Sequence, residues 1–173
     1  QSILDKEFST GKGELYHQDI KDNYLNKIKE IIHLERPMTI SIDCGNGAAG
    51  VCAEDLFSSL NVKVNSLFCD VDGNFPNHHP DPSNPKNLID LQESLKTTNS
   101  ELGLAFDGDG DRLGVITKSG EIIYPDRQLL LFAEDVLINN PGATIIFDVK
   151  STRHLFKWIK DTKCKCSFEC ALA

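Results

Sequence analysis

The sequence predicts an α/β fold: a layered α/β/α domain on a mixed, mainly parallel sheet, followed by an incomplete second α/β unit. Three observations predict it. Short β-branched runs such as TISID (39–43) and TIIFDV (144–149) recur along the chain. Between them lie segments whose apolar residues repeat at helical spacing. Strands that alternate with helices in this way build layered sheets, because a parallel return needs a crossover. Finally, CGNG (44–47) and DGDGD (107–111) directly follow strands, at the carboxyl ends where open α/β sheets collect ligands.

Each element follows in order. Residues 1–18 lack a sustained period and contain Gly11 and Gly13, so they read as a linker or the tail of an upstream domain. In residues 19–33, Ile20, Tyr24, Ile28 and Ile31 share one helical face, and Pro37 stops the helix from continuing. Residues 39–43 form a strand, 44–50 a tight turn, 48–60 a helix, and the alternating 62–68 a second strand. Residues 72–87 contain Pro76, Pro80, Pro82 and Pro85. Each lacks a backbone donor, which excludes a regular element. A loop of that length is functional or mobile. Residues 85–98 form a helix with Pro85 in its first turn. LGLAF (102–106) is a strand ending in the acidic loop, and RLGVIT (112–117) and IIY (122–124) are strands joined by the KSGE turn. A helix at 126–140, a strand at 144–149 and a helix at 151–160 complete the regular part. The expected organisation is a linker (1–18), a first domain (19–121) and an incomplete second one (122–173) with an atypical tail.

Composition narrows the function. The chain is 40% hydrophobic and 25% charged, ordinary for a globular protein. Its net charge of −8 argues against nucleic acid or an anionic membrane as partner. No apolar run approaches the roughly 20 residues of a membrane span; LLLFA (129–133) is broken by Glu134 and Asp135. No signal peptide is visible, so a reduced, cytoplasmic setting is expected. Cys44, Cys52 and Cys69 sit in apolar segments and read as small buried hydrophobes. The chain starts at Gln1, and it is expected to be part of a longer protein.

The acidic loop carries the chemistry. Asp107, Asp109 and Asp111 alternate with glycines and are followed at once by Arg112. An EF-hand needs Gly at position 6 and Glu at position 12; counted from Asp107 these are Arg112 and Lys118, and the flanks are strands. A solvated Asp-Gly turn does not need three acids in five residues. A divalent cation would offset the repulsion, and glycine lets the backbone turn alternate carboxylates toward one point. Oxygen-only ligands favour Mg²⁺ over zinc or copper. Arg112 cannot ligate a cation, but it suits an anion bridging metal and guanidinium, as a phosphoryl group would.

AFDGDGDR (105–112) resembles the metal loop of the α-D-phosphohexomutases. VDGNFPNHHPDPSNPKNL (71–88), IDCGNGAAG (42–50) and IIYPDR (122–127) resemble the bacterial phosphomannomutase/phosphoglucomutase branch, and the resemblance covers roughly residues 14–155. It implies that Asp107, Asp109 and Asp111 ligate Mg²⁺ and that Arg112 contacts the transferring phosphoryl group. It also implies that Lys150, in DVKSTR (148–153), helps proton transfer in the same cleft; a surface lysine beginning a helix is the alternative. The family's enzymes have four domains. A phosphoserine in the first hands its phosphoryl group to a hexose phosphate, and the bisphosphate intermediate reorients and returns the other. The implied partners are therefore the phosphosugar and the remaining domains of the same enzyme, with this chain expected to be inactive alone.

The sequence departs from the family in two places. Ser83, in PSNP (82–85), lacks the flanks of the family's serine loop and is not the nucleophile. Residues 160–173, KDTKCKCSFECALA, look foreign to the family. Cys164, Cys166 and Cys170 suggest zinc only weakly, because the spacing is unusual and no fourth ligand is near. His78 and His79 are expected to be structural, although metal ligation is open to them. The GNG turn (45–47) could hold an anion or simply be tight, and Phe156 and Trp158 read as core. Two rivals to the enzyme remain: a non-enzymatic Mg²⁺ or phosphosugar-binding module, and a haloacid-dehalogenase-like phosphatase with an aspartate nucleophile.

Overall fold

The computed structural model describes residues 4, 5, 8, 11–161 and 168–171. Its centre is a five-stranded sheet in the order β2-β1-β3-β4-β5. β1 (Met38–Asp43) lies between β2 (Val62–Leu67) and β3 (Leu102–Phe106), parallel to both. β4 (Leu113–Thr117) and β5 (Ile122–Ile123) extend the sheet antiparallel, so the sheet is mixed. The antiparallel half follows from chain length: the acidic loop is too short for a crossover, so β4 must return beside β3. β5 hydrogen-bonds to β4 and thus completes this first sheet.

Alternation along the strands sorts side chains to two covered faces. Ile40 and Ile42 of β1 pack with Ala53 and Phe57 of α2 (Ala53–Ser59) on one face. On the other, Leu91 and Leu95 of α3 (Ile89–Thr97) pack with Ala105 and Ile116. Fully burying a Leu or Ile side chain is worth roughly 1.5–3 kcal/mol, and Ile40, Ile42, Leu91, Leu95 and Ile116 are almost fully buried, whereas Phe57 is half-buried. The α3 face also holds a polar seam. Ser41 Oγ lies 2.7 Å from Ser94 Oγ and donates to Ser100 Oγ at 2.8 Å, which also accepts from Asn65 Nδ2 at 2.8 Å. Among the described residues no buried side-chain nitrogen or oxygen is left without a partner.

Three helices differ from the sequence reading, the one read over 85–98 beginning as a 3-10 turn at Pro85–Leu88 before α3. α1 (Lys21–Ile31) forms where expected, but Leu25 is its buried residue, while Ile20, Tyr24 and Ile31 are exposed. Its docking is set by α2, to which Lys21 is tied through Asp55 at 2.6 Å. The predicted helix over 48–60 is split: a 3-10 turn at Ala48–Val51 precedes α2. Gly50 lies so close to the Cys69 carbonyl that a Cβ would sit 2.1 Å from its oxygen. The chain therefore enters the helix by a tight turn rather than a full one.

A second group of elements follows: α4 (Pro125–Asn139), β6 (Ile145–Asp148), α5 (Arg153–Asp161) and β7 (Phe168–Ala171). β6 and β7 pair in parallel. Their core joins Ala133, Leu137 and Ile145, with Phe147 and Leu155 packed against Leu129, Leu130 and Trp158. Trp158 is thus a core contact; the Phe156 side chain lies outside the described residues. β7 falls in the tail that the sequence reading left without structure. Cys164 and Cys166 lie outside the described residues, and with them the zinc alternative. No helix among the described residues is long and apolar enough to cross a membrane.

Candidate functional site

Three segments distant in sequence meet where β1 and β3 end. The acidic loop leaves β3 at Asp107, which is buried at 1% exposure, whereas Asp109 and Asp111 are exposed. Gly110, at φ 78°, turns the loop through a conformation that L side chains rarely adopt, and its N–H donates to the Asp107 carbonyl at 3.2 Å. One carboxylate oxygen from each aspartate lies within 4.8 Å of the others. The structure therefore brings the three predicted ligands together.

Arg112 closes the loop on itself. Its backbone N–H donates to Asp107 Oδ1 at 3.0 Å and its Nε to Oδ2 at 2.7 Å. Its Nη1 donates to Asp81 Oδ1 at 3.1 Å, and Asp111 Oδ1 lies 3.8 Å from Nε. Burial pushes the Asp107 carboxyl up, but the Arg112 N–H and guanidinium outweigh it and hold it down to about 2. Asp111 moves the other way, raised by its hydrogen bond with Asp107 and by the charge of Asp109. The repulsion in the string is thus offset at Asp107 by Arg112 and remains at the two exposed carboxylates, where a cation would relieve it.

The turn after β1 supports the loop from below. Ala48 N–H donates to the Gly108 carbonyl at 2.9 Å, and a Cβ on Gly47 would stand 2.8 Å from the same oxygen. The turn is not an anion nest. The N–H groups of Gly45, Asn46, Gly47 and Ala48 already donate to Asp43, Phe68, Cys44 and Gly108, which leaves the tight-turn reading of GNG.

The proline-rich loop forms the third wall. His78 Nε2 lies 3.0 Å from Oδ2 of Asp43, a carboxylate exposed by only 1%, and Nδ1 lies 3.0 Å from the His79 carbonyl. Both ring nitrogens face acceptors, a setting that favours the doubly protonated imidazolium. Burial pulls the His78 value down, but the His79 carbonyl and Asp43 outweigh it, and the net shift is upward. Stabilisation by this pair is therefore full below the ordinary histidine value of 6.5 and is lost as pH rises through the raised folded value. In His78→Gln the fall in urea midpoint between about pH 6 and about pH 8 should become shallower than in the wild type; an unchanged slope would contradict the pairing.

Ser83 is bonded through its N–H and Oγ to Asp81 Oδ1, at 3.1 and 2.7 Å. Lys150 is exposed in the turn after β6, where its N–H donates to Asp148 Oδ1 at 2.7 Å. A cavity of about 460 Å³ lies beside the loop, walled by Ser83, Asp111, Arg112, Tyr124, Phe132 and Asp148 among others. Lys150 is not one of its walls. Gln128, buried in α4, donates to the Ile123 and Leu113 carbonyls at 2.7 and 3.3 Å and fixes α4 against β4 and β5. Sequence reasoning missed Asp43, Asp81 and Gln128. Only Asp43 carried a signal, since it ends β1 just before a glycine turn, much as Asp107 directly follows β3.

Fold and site together define an α/β/α domain with an acidic oxygen cluster at the carboxyl end of its sheet. The sequence model of the phosphoglucomutase/phosphomannomutase α/β/α domain II matches residues 22–120, more than half of the chain, and the chain belongs to that family. It is 60% identical over 163 residues to a phosphoglucomutase of Neisseria meningitidis serogroup B, covering 92% of this chain and 35% of that protein. It is 53% identical over 159 residues to a phosphomannomutase/phosphoglucomutase of Pseudomonas aeruginosa, covering 92% and 34%. The fold matches a solved phosphoglucomutase/phosphomannomutase family protein of Burkholderia thailandensis with a TM-score of 0.91 at 51% identity, covering 99% of this chain and 37% of that one. The chain thus spans about a third of the length of these relatives. Family membership sets aside the haloacid-dehalogenase-like alternative.

Proposed function

We propose that this chain is the metal-binding part of a phosphohexomutase, which interconverts hexose 1-phosphate and hexose 6-phosphate of glucose or mannose. The observation that carries the proposal is the convergence of three carboxylate oxygens within 4.8 Å at a strand end, in a chain 60% identical to a phosphoglucomutase. The donor set is oxygen only, which fits Mg²⁺. Asp107, Asp109 and Asp111 would hold the ion, Asp107 through lone pairs that Arg112 leaves free. Bound Mg²⁺ would neutralise charge on a phosphoryl oxygen during transfer.

The chain's own residues divide the remaining work. Arg112 holds Asp107 and Asp81 and would turn its guanidinium edge to the transferring phosphoryl group beside the ion. Positioning and fixed positive charge are then the catalytic contribution of this segment. Lys150 would approach from the neighbouring element and move a proton at the sugar hydroxyl. The phosphoserine that carries the phosphoryl group, and the bisphosphorylated intermediate, belong to the whole enzyme. We assign residues 19–121 to its second domain and residues 122–173 to part of its third, with β5 (Ile122–Ile123), which pairs back onto the first sheet, marking the passage between them. The reading places the enzyme in the cytoplasm, with neither nucleic acid nor membrane as partner.

A chimera tests the proposal. Residues 14–155 are grafted into the Neisseria meningitidis phosphoglucomutase in place of the matching segment. The chimera should convert glucose 1-phosphate to glucose 6-phosphate in a Mg²⁺-dependent manner, while the 173-residue chain alone stays at background because Ser83 is no phosphoryl carrier. A folded chimera without turnover, or turnover by the chain alone, would contradict the reading.

A further inference from the structure

Cys44 and Cys69 lie one and two residues past the last paired positions of neighbouring parallel strands, Asp43 and Leu67. Phe68 bends the chain there with φ 52°, and Cys44 N–H donates to the Leu67 carbonyl at 3.1 Å. The two sulfurs are thereby held 3.2 Å apart, although both cysteines are free. Cys44 is wholly buried, whereas Cys69 is partly exposed and open to a small oxidant. We propose that Cys44 and Cys69 form a reversible disulfide, so that the pair is an oxidative modification site at the carboxyl ends of β1 and β2.

The asymmetry of the pair suits the chemistry. The shared hydrogen bond holds the Cys69 thiol below the ordinary cysteine value, and the same bond, reinforced by burial, pushes Cys44 up. The accessible sulfur is therefore the better nucleophile. With hydrogen peroxide as oxidant, the Cys69 thiolate attacks one peroxide oxygen. An S–O bond forms, the O–O bond breaks, and the departing hydroxide takes up a proton to leave as water. The Cys44 sulfur then attacks the sulfenic sulfur of Cys69. The S–S bond forms, the S–O bond breaks, and the second hydroxide leaves as water with the Cys44 proton. Two thiols lose two protons and two electrons in all, and the peroxide is reduced to two waters.

Disulfide formation has a direction in this fold. The sulfurs must close from 3.2 Å to about 2.05 Å. That draws Cys44, at the start of the turn, toward Cys69, while Gly50 at the far end already stands against the Cys69 carbonyl. The acidic loop follows β3, on the opposite side of β1, and is held to the turn by the Ala48–Gly108 hydrogen bond. Oxidation thus pulls the start of the turn away from the loop. This coupling, unlike the disulfide itself, rests on the acidic loop being a cation site.

The test treats the 173-residue chain with hydrogen peroxide, blocks remaining thiols with N-ethylmaleimide and maps tryptic peptides without reductant. Cleavage after Lys63 separates the two cysteines. The expected product is a peptide pair linked through Cys44 and Cys69 that dithiothreitol releases. The link should be absent in Cys69→Ser and retained in Cys52→Ser. Two alkylated thiols, or Cys69 linked instead to Cys52 or to Cys164, Cys166 or Cys170, would overturn the site. Titration of the linked chain should show at least about threefold weaker Mg²⁺ binding, the effect of disturbing one hydrogen bond. Unchanged affinity would overturn the coupling. If the reduced chain bound no Mg²⁺, the acidic-loop reading would fail, and the peptide map would still decide the disulfide.

Discussion

Asp109→Ala in the chimeric enzyme is expected to lower kcat by at least about 100-fold, roughly 2.7 kcal/mol of transition-state stabilisation. Asp107 is buried and already bonded twice by Arg112. Asp109 is exposed at the middle of the loop, and no hydrogen bond to it is found among the described residues. Its removal therefore takes away a proposed ligand without removing a structural contact, and the fold should persist. A loss of kcat with an unchanged thermal midpoint would mark the residue as part of the site. If Asp109→Ala turned over like the wild type, the loop would be only a turn.

Arg112→Lys should lower kcat by at least about tenfold, or roughly 1.4 kcal/mol. The substitution keeps the charge but not the planar fork. In this structure Nε and Nη1 simultaneously reach Asp107 of the acidic loop and Asp81 of the proline-rich loop. A single ammonium cannot reproduce both bonds and also face a phosphoryl group. Mg²⁺ affinity should change little, since Arg112 is not a ligand. The opposite pattern, with kcat intact and Mg²⁺ affinity collapsed, would mean that Arg112 only braces Asp107. Asp81→Ala separates the two roles further: it removes the acceptor of Nη1 while leaving the bond to Asp107 in place.

Local chemistry explains what was legible in the sequence. TISID and LGLAF form strands at β1 and β3 within a residue of the reading, because β-branched and alternating runs decide locally. The acidic loop was legible because three carboxylates and two glycines in five residues have few physical uses. Pairings that depend on distant chain segments were not. Arg112 finds Asp81 across 31 residues and His78 finds Asp43 across 35, and neither partner announces itself in its own neighbourhood. β7 was invisible for the same reason, since FECA becomes a strand by lying along β6. On α1 the reading chose the more conspicuous apolar stripe, whereas docking on α2 selects Leu25.

The central claim is that Asp107, Asp109 and Asp111 form a cation site that is incomplete without a phosphoryl oxygen. Calorimetric titration of the 173-residue chain with Mg²⁺ tests it most directly. The account predicts weak, saturable binding on the order of a millimolar, because protein carboxylates alone leave Mg²⁺ positions to water, and predicts that Asp109→Asn abolishes it. Binding that survives Asp109→Asn, or no binding at all at tens of millimolar, would contradict it.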